Sequence, residues 1–232
     1  NKTDDYLAYS LTEDLIFDIS GIGNIRVAPM RDIINLGQEK LTLKEISKKL
    51  DVKYILNGSI ARSENNYSLK CNLREAETGI SVYLKKWIEQ EENLPNIVSN
   101  ISQDIIENLK LKTAQNQRNV IDTDHNAYEL YLRGKFIYQE KKTEEDIEVA
   151  KGLFKESISI DSNLVLSYLH LGDLFYDKQE YDKAEEIYQE GYNISKNNKD
   201  ERLLAYSLKS LSRVYLHYRD YYQWCYLELL EL

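Results

Sequence analysis

Three histidines, two cysteines and a few adjacent acid pairs are the residues of this 232-residue chain whose types could do chemistry. A metal site needs His, Cys or acidic ligands at short helical or hairpin spacing. His125, His170 and His217 lie far apart and suit surface or packing positions. Cys71 and Cys225 share no motif, so neither a disulfide framework nor a zinc site is expected from them. The pairs Glu13-Asp14 and Glu91-Glu92 read as helix starts or solvated faces. "GIGNIR" lacks the third glycine of a dinucleotide loop, and no phosphate-loop lysine pattern occurs. No Ser/His/Asp or Cys/His nucleophile set can be assembled from the residue order. We therefore expect no catalytic, metal or cofactor residue here, and no enzyme activity from these residues.

Binding is the remaining chemistry, and charge narrows it. The net charge is −9. Residues 1–115 hold 15 Lys+Arg and 17 Asp+Glu, giving −2; residues 116–232 hold 15 and 22, giving −7. An acidic body repels phosphate backbones, so nucleic acid is not expected as partner. "TLKEISKKLDVKYI" could open a helix-turn-helix, but β-rich Tyr54-Ile55-Leu56 and then Asn57-Gly58 follow where a recognition helix belongs. No apolar run reaches the roughly 18 residues of a membrane span, and no secretory signal opens the chain. Cytoplasmic residence without membrane contact is expected, or the periplasm if a span lies upstream. The chain starts without Met and stops inside "LELLEL", so it reads as a piece of a longer protein.

Fourteen of the 19 tyrosines follow residue 115, and the polar run Lys112 to Asn126 reads as a linker. Beyond it one pattern is written twice. "LRGKFIYQEKKTEEDIEVAKGLF" and "LGDLFYDKQEYDKAEEIY" each place a Gly, a charged gap, an Ala and, four residues later, an aromatic. Gly134 and Gly172 are 38 residues apart, and a four-residue insertion near "KKTE" reduces the period to 34. Small Gly134 with Ala150, and Gly172 with Ala184, are expected where two helices cross. Leu130, Ile137 and Phe154, and then Tyr168, Leu171, Phe175 and Tyr188, should fill the gaps. A looser third copy sets Ser212 at the Gly172 position and Trp224 at the Ala184 position. Copies of this kind must stack to bury their apolar faces.

These residues resemble tetratricopeptide (TPR) repeats over about 126–232. The resemblance implies a groove lined by the first helix of each pair. Carried over by position, it would be lined by Tyr128, Tyr131, Lys135 and Tyr138; by Leu169, Asp173, Tyr176 and Asp177; and by Lys209, Arg213 and His217. A protein, a peptide or another domain of the same protein would occupy it, and self-association is left open. The basic-and-asparagine clamp for a C-terminal carboxylate is not matched, because Tyr131 and His170 stand in places it needs.

The first half reads as a small mixed domain. Leu7, Leu11, Leu15, Ile16 and Ile19 have helical spacing, with Gly21 and Gly23 as the stop. "NIRVAPM" reads as a strand. "TLKEISKKL" reads as a helix with Thr42 as N-cap and Glu45 three residues on. "VKYILNGSIARSE", "NYSLKCNLREA" and "ISVYLKKWIEQ" form a three-stranded antiparallel meander turning at Glu64–Asn66 and Glu77–Gly79. Tyr67, Leu69, Cys71 and Leu73 share one face of its middle strand. A helix with Ile97, Ile101, Ile105 and Leu109 on one stripe closes the domain.

"SLTEDLIFDIS", "KKLDVKYILNGSIAR" and "REAETGISVYLKKW" resemble the TolB amino-terminal-like domain that precedes TPR arrays. Two departures are Asp51, where a glycine is usual, and Tyr83, where Trp is common. The resemblance implies an apolar strand ahead of Asn1, and so an unfilled place beside "NIRVAPM". The expected fold class is α+β: an α/β domain at 1–111, a linker at 112–125, and about three helical hairpins at 126–232. By resemblance the chain is a regulatory module of a bacterial protein with a nucleotide cyclase domain. The alternatives are the sensor of a winged-helix transcription regulator and an envelope assembly protein.

Overall fold

A computed structural model describes residues 5–21, 25–37, 40–111 and 122–218. The chain divides into two compact units, residues 1–125 and 126–232. In the first unit, α1 (Asp5–Ser20), α2 (Met30–Leu36) and α3 (Leu43–Leu50) precede β1 (Tyr54–Ser63), β2 (Asn66–Glu75) and β3 (Ser81–Gln90). A 3-10 turn (Glu91–Asn96) leads into α4 (Ile97–Asn108). The second unit is helical: α5 (His125–Glu140), α6 (Glu144–Ile160), α7 (Val165–Asp177), α8 (Tyr181–Asn198) and α9 (Glu201–Tyr218). The fold class is α+β, a three-stranded antiparallel sheet followed by a helical region.

The sheet has the order β1-β2-β3, with both pairs antiparallel. Strand β2 lies in the middle, and its alternation decides the core: Tyr67, Leu69, Cys71 and Leu73 are buried. Leu7, Leu11, Leu15 and Ile19 of α1 and Ile97, Ile101 and Ile105 of α4 are buried as well, and α1 packs on α4. Leu109 falls just past the end of α4 and is half-buried. The capping box that starts α3 is formed: Thr42 N–H donates to Glu45 Oε2 at 2.7 Å. Asp51 ends α3 in the left-handed region at φ 53°, where a glycine would be unstrained.

The "NIRVAPM" strand is a correction. Ile25–Pro29 run outside the sheet, and Met30, counted in that strand, opens α2. A strand needs a neighbour to take its backbone hydrogen bonds, and among the described residues β1–β3 have no fourth partner. Pro29, with φ −63° and no N–H, suits a helix start instead. Residues 1–4 and Gly23 lie outside the described residues, as does most of the 112–125 linker.

In the second unit the glycines sit where expected, but against a different partner. A Cβ on Gly134 would stand 2.8 Å from Phe154 Cε1, and one on Gly172 2.6 Å from Tyr188 Cδ1. Thus each glycine makes room for the aromatic ring one turn beyond the alanine. Ala150 and Ala184 are themselves fully buried. The four extra residues of the first copy also lie elsewhere than in the connection. Residues 141–143 and 178–180 are equally long connections, so one extra residue lengthens α5 and three lengthen α6. Thr143 starts α6 early through a capping box with Asp146. In the third copy α9 is formed, while Trp224 and Cys225 lie outside the described residues.

Candidate functional site

The residues expected to line a groove divide into two groups. Tyr128, Tyr131 and Leu169 are buried to 1%, 0% and 0% exposure, and Lys135 to 3%. They line no open surface, which corrects the expectation. The cause is their place on α5 and α7: Tyr131 stacks with Tyr128 at 5.5 Å between ring centres and edge-on to His170 at 5.4 Å. Lys135 Nζ lies 5.7 Å from the Tyr131 ring centre, a cation over an aromatic face. Helical spacing placed these side chains on one stripe and could not say which side of the stripe the neighbouring helix covers.

The other group forms a polar ladder of two hydrogen-bonded clusters one turn apart on α7, one reaching α5 and the other α8 and α9. Tyr138 Oη donates to Asp177 Oδ2 at 2.7 Å, and Lys141 Nζ reaches the same oxygen at 2.8 Å. One turn earlier on α7, Asp173 Oδ1 accepts from Tyr188 Oη at 2.7 Å and from Arg213 at 3.1 Å. The Arg213 guanidinium lies over the Tyr176 ring at 4.2 Å. Tyr176 meets Tyr181 edge-on, and Tyr181 stacks on His217 with ring centres 3.8 Å apart. Lys209 is exposed one turn before Arg213. Lys141, Tyr181 and Tyr188 are members that sequence reasoning missed as site residues. Only Tyr188 carried a signal, as the aromatic of the repeat.

Electrostatics follow from this geometry. Burial, then the hydrogen bond to Asp177, pushes the Tyr138 phenol well above its ordinary range. Burial and the Asp173 charge do the same to Tyr188. Burial opposes the Asp177 charge, yet the hydrogen bonds from Lys141 and Tyr138 outweigh it and hold that carboxyl below its usual value. All three shifts run away from neutral pH, so Tyr138 and Tyr188 keep their protons there and Asp177 its charge.

The remaining candidates serve structure. Burial raises the Cys71 thiol to about 11, so it stays protonated and unreactive. His170 is buried, its Nδ1 3.0 Å from the Leu166 carbonyl, and packs on Phe154. Strand β1 stands where a recognition helix would follow α3. Among the described residues, no three His, Cys, Asp or Glu gather closely enough to hold a metal ion, and no helix is long and apolar enough to cross a membrane. In the first unit, a cavity of about 330 Å³ lies between α2, α3 and Ile25–Pro29. Its Arg26 donates to the carbonyls of Leu50 and Asp51 at 2.7 Å each, capping α3.

No family model matches the chain. It is similar to a protein of Rhizobium meliloti (strain 1021) named "Putative adenylate cyclase 3", at 22% identity over 134 residues. That match covers 56% of this chain and 23% of the other protein's length. The likeness is distant and spans a minor part of that protein.

Proposed function

We propose that this chain is a non-enzymatic regulatory module of a larger bacterial signalling protein that carries a nucleotide cyclase domain. In this reading residues 1–111 are a TolB amino-terminal-like domain, residues 126–232 are a TPR array, and the setting is the cytoplasm. The α5–α7–α9 face holds a partner protein, a peptide or another domain of the same protein, and so biases cyclase output. The ladder through Tyr138, Asp177, Asp173, Tyr176 and Arg213 carries this reading, because it spans successive hairpins and holds polar groups in fixed positions. Preorganised aromatic and arginine side chains are what binding faces use. The distant likeness to a protein named as an adenylate cyclase supports the setting.

The test compares the full-length protein with its Tyr176→Ala, Arg213→Ala double variant. The expected result is at least a threefold change in cyclic-nucleotide production or in its response to a partner, with helix content kept. An unchanged rate and an unchanged response would overturn the reading. The 232-residue chain alone is expected to form no cyclic nucleotide from ATP or GTP with Mg²⁺ or Mn²⁺. Turnover that a substitution within it abolishes would show it to be an enzyme.

A further inference from the structure

We propose that the open edge of β3 is a self-recognition surface, and that its partner is a second copy of this chain, paired antiparallel to it about a two-fold axis at Trp87. The inference is independent of the reading of the second unit, since it uses β3 and its supports alone.

Strand β3 (Ser81–Gln90) ends the sheet order β1-β2-β3, so among the described residues one side of its backbone has no neighbouring strand. The ladder fixes which groups face that side. Glu91 N–H donates to the Asn65 carbonyl at 3.1 Å, and in an antiparallel pair such bonded positions recur at every second residue. Glu89, Trp87, Lys85 and Tyr83 therefore bond to β2, while Leu84, Lys86, Ile88 and Gln90 turn their N–H and C=O groups to the open edge. Two of these carry exposed apolar side chains: Leu84 is 61% exposed and Ile88 71%. An unpaired edge with apolar side chains is a template for another strand.

The strand is complementary to itself in one register. Its regular stretch runs from Tyr83, just past the register shift, to Gln90, where the 3-10 turn begins. An antiparallel pair centred on Trp87 sets this stretch against its own copy. Leu84 then faces Gln90 and Lys86 faces Ile88, so the outward backbone groups exchange hydrogen bonds. Lys85 faces Glu89 of the second copy, and Trp87 faces Trp87 at a non-hydrogen-bonded position, where opposed side chains come closest. On the other face of the sheet, Leu84 and Ile88 of the two copies become diagonal neighbours. Within one chain Lys85 bonds to Asp104 at 2.7 Å and lies 5.1 Å from the Trp87 ring centre, and Glu89 accepts from Asn93 at 3.2 Å. An ammonium has three donors and a carboxylate two oxygens, so the pair between copies adds to these contacts.

The neighbouring registers fail. Centring on Lys86 sets like charges directly opposite each other, which destabilises a sheet, and draws the irregular Val82 into the ladder. Centring on Ile88 draws in Glu91 and Glu92, which belong to the 3-10 turn. Lysines on an edge guard it against pairing in general. Here they leave one register open, and so select the partner. Residues 1–115 hold 15 Lys+Arg and 17 Asp+Glu, or −2, so two copies of this unit repel each other weakly.

The experiment is sedimentation equilibrium of the 232-residue chain. Edge pairing buries a small area and is weak, so the chain should pass from monomer toward dimer between about 1 and 300 µM. Added salt should loosen the dimer. Lys86→Pro removes an outward N–H and no bond to β2, so it should weaken dimerisation at least tenfold with the circular dichroism spectrum kept. Glu89→Lys should also weaken it at least tenfold, and Glu89→Gln less. The register is read from Lys86→Cys, Trp87→Cys and Ile88→Cys, each made in a Cys225→Ser background and oxidised. Trp87→Cys should crosslink fastest, because opposed non-hydrogen-bonded residues have Cα atoms about 4.5 Å apart, within reach of a disulfide.

A chain that stays monomeric throughout would overturn the proposal. A dimer untouched by Lys86→Pro and Glu89→Lys forms through another face and would overturn it equally. Fastest crosslinking at Lys86→Cys or Ile88→Cys would overturn the axis at Trp87. If Lys86→Pro does not fold, Glu89→Lys and the crosslinks decide.

Discussion

In the α5–α6 hairpin a glycine lies under the ring of Phe154; in the α7–α8 hairpin a glycine lies under the ring of Tyr188. Both rings are fully buried. The two contacts repeat one packing solution, since a missing Cβ lets an aromatic ring approach a helix backbone. The hairpins differ in the single oxygen that Tyr188 adds. That hydroxyl reaches Asp173 at 2.7 Å, and Asp173 in turn holds Arg213 of α9. The first hairpin therefore uses its ring for packing alone, while the second uses its ring to tie the core to the polar ladder. Repetition in sequence marks what holds each hairpin together, and deviation from it marks where the face is specialised.

Truncating the rings should have the largest effect. Phe154→Ala and Tyr188→Ala should each cost about 3–5 kcal/mol by leaving a cavity, measured by denaturant unfolding. The Tyr188 variant should also loosen α9 in hydrogen exchange, and the Phe154 variant should not. Equal loosening of α9 in both would dissolve the distinction between the hairpins.

Filling the glycines comes next. Gly172→Ala should destabilise by about 1–3 kcal/mol through overpacking, although alanine is the better helix former by about 1 kcal/mol. Gly134→Ala should cost less, because its added Cβ stands 3.0 Å from the ring's Cδ1, against 2.6 Å for the same atom of Tyr188 at Gly172. A raised Tm in either variant would show that the ring can retreat. Ala184→Leu, in the cluster with Leu169, Tyr188 and Val214, should also overpack by about 1–3 kcal/mol.

Exchanging the one differing atom sharpens the comparison. Tyr188→Phe should cost about 1–2 kcal/mol, since Asp173 loses one donor and keeps Arg213. Phe154→Tyr should cost at least as much by burying a hydroxyl within the ring stack.

Alkaline pH gives a smaller and graded effect. Tyr138 and Tyr188 titrate above their ordinary range in the folded chain. The unfolded state thus releases their protons first, from about pH 10. Stability from these groups is complete below that pH and falls as pH rises through it. Ultraviolet titration should show phenolates that appear only with unfolding. The smallest effect is expected at Lys141→Ala, under about 1 kcal/mol, because the pair with Asp177 is partly exposed.

Some of this was legible in residue order because it is local. Strict alternation in β2 announced its buried face, Thr42 and Glu45 announced a helix start, and Gly134 and Gly172 marked two helix contacts. Each depends on residues within one turn, one strand or one hairpin. "NIRVAPM" misled because it has strand composition and lacks a strand beside it. Of the residues expected in the groove, Tyr138 pairs with Asp177 and Arg213 with Asp173, while Tyr128, Tyr131 and Leu169 are core.

By itself, then, the sequence determined the sheet meander, the helical second unit and its repeat, since periodicity and spacing act over short range. Only the tertiary structure decided which aromatic fills each glycine's space, where the four extra residues went, and which polar groups meet. Tyr138 and Asp177 are 39 residues apart, and Asp173 and Arg213 are 40 apart. Contacts at that range depend on how one helix rolls against the next, and that roll is set by the packing of whole side chains, which no local pattern records.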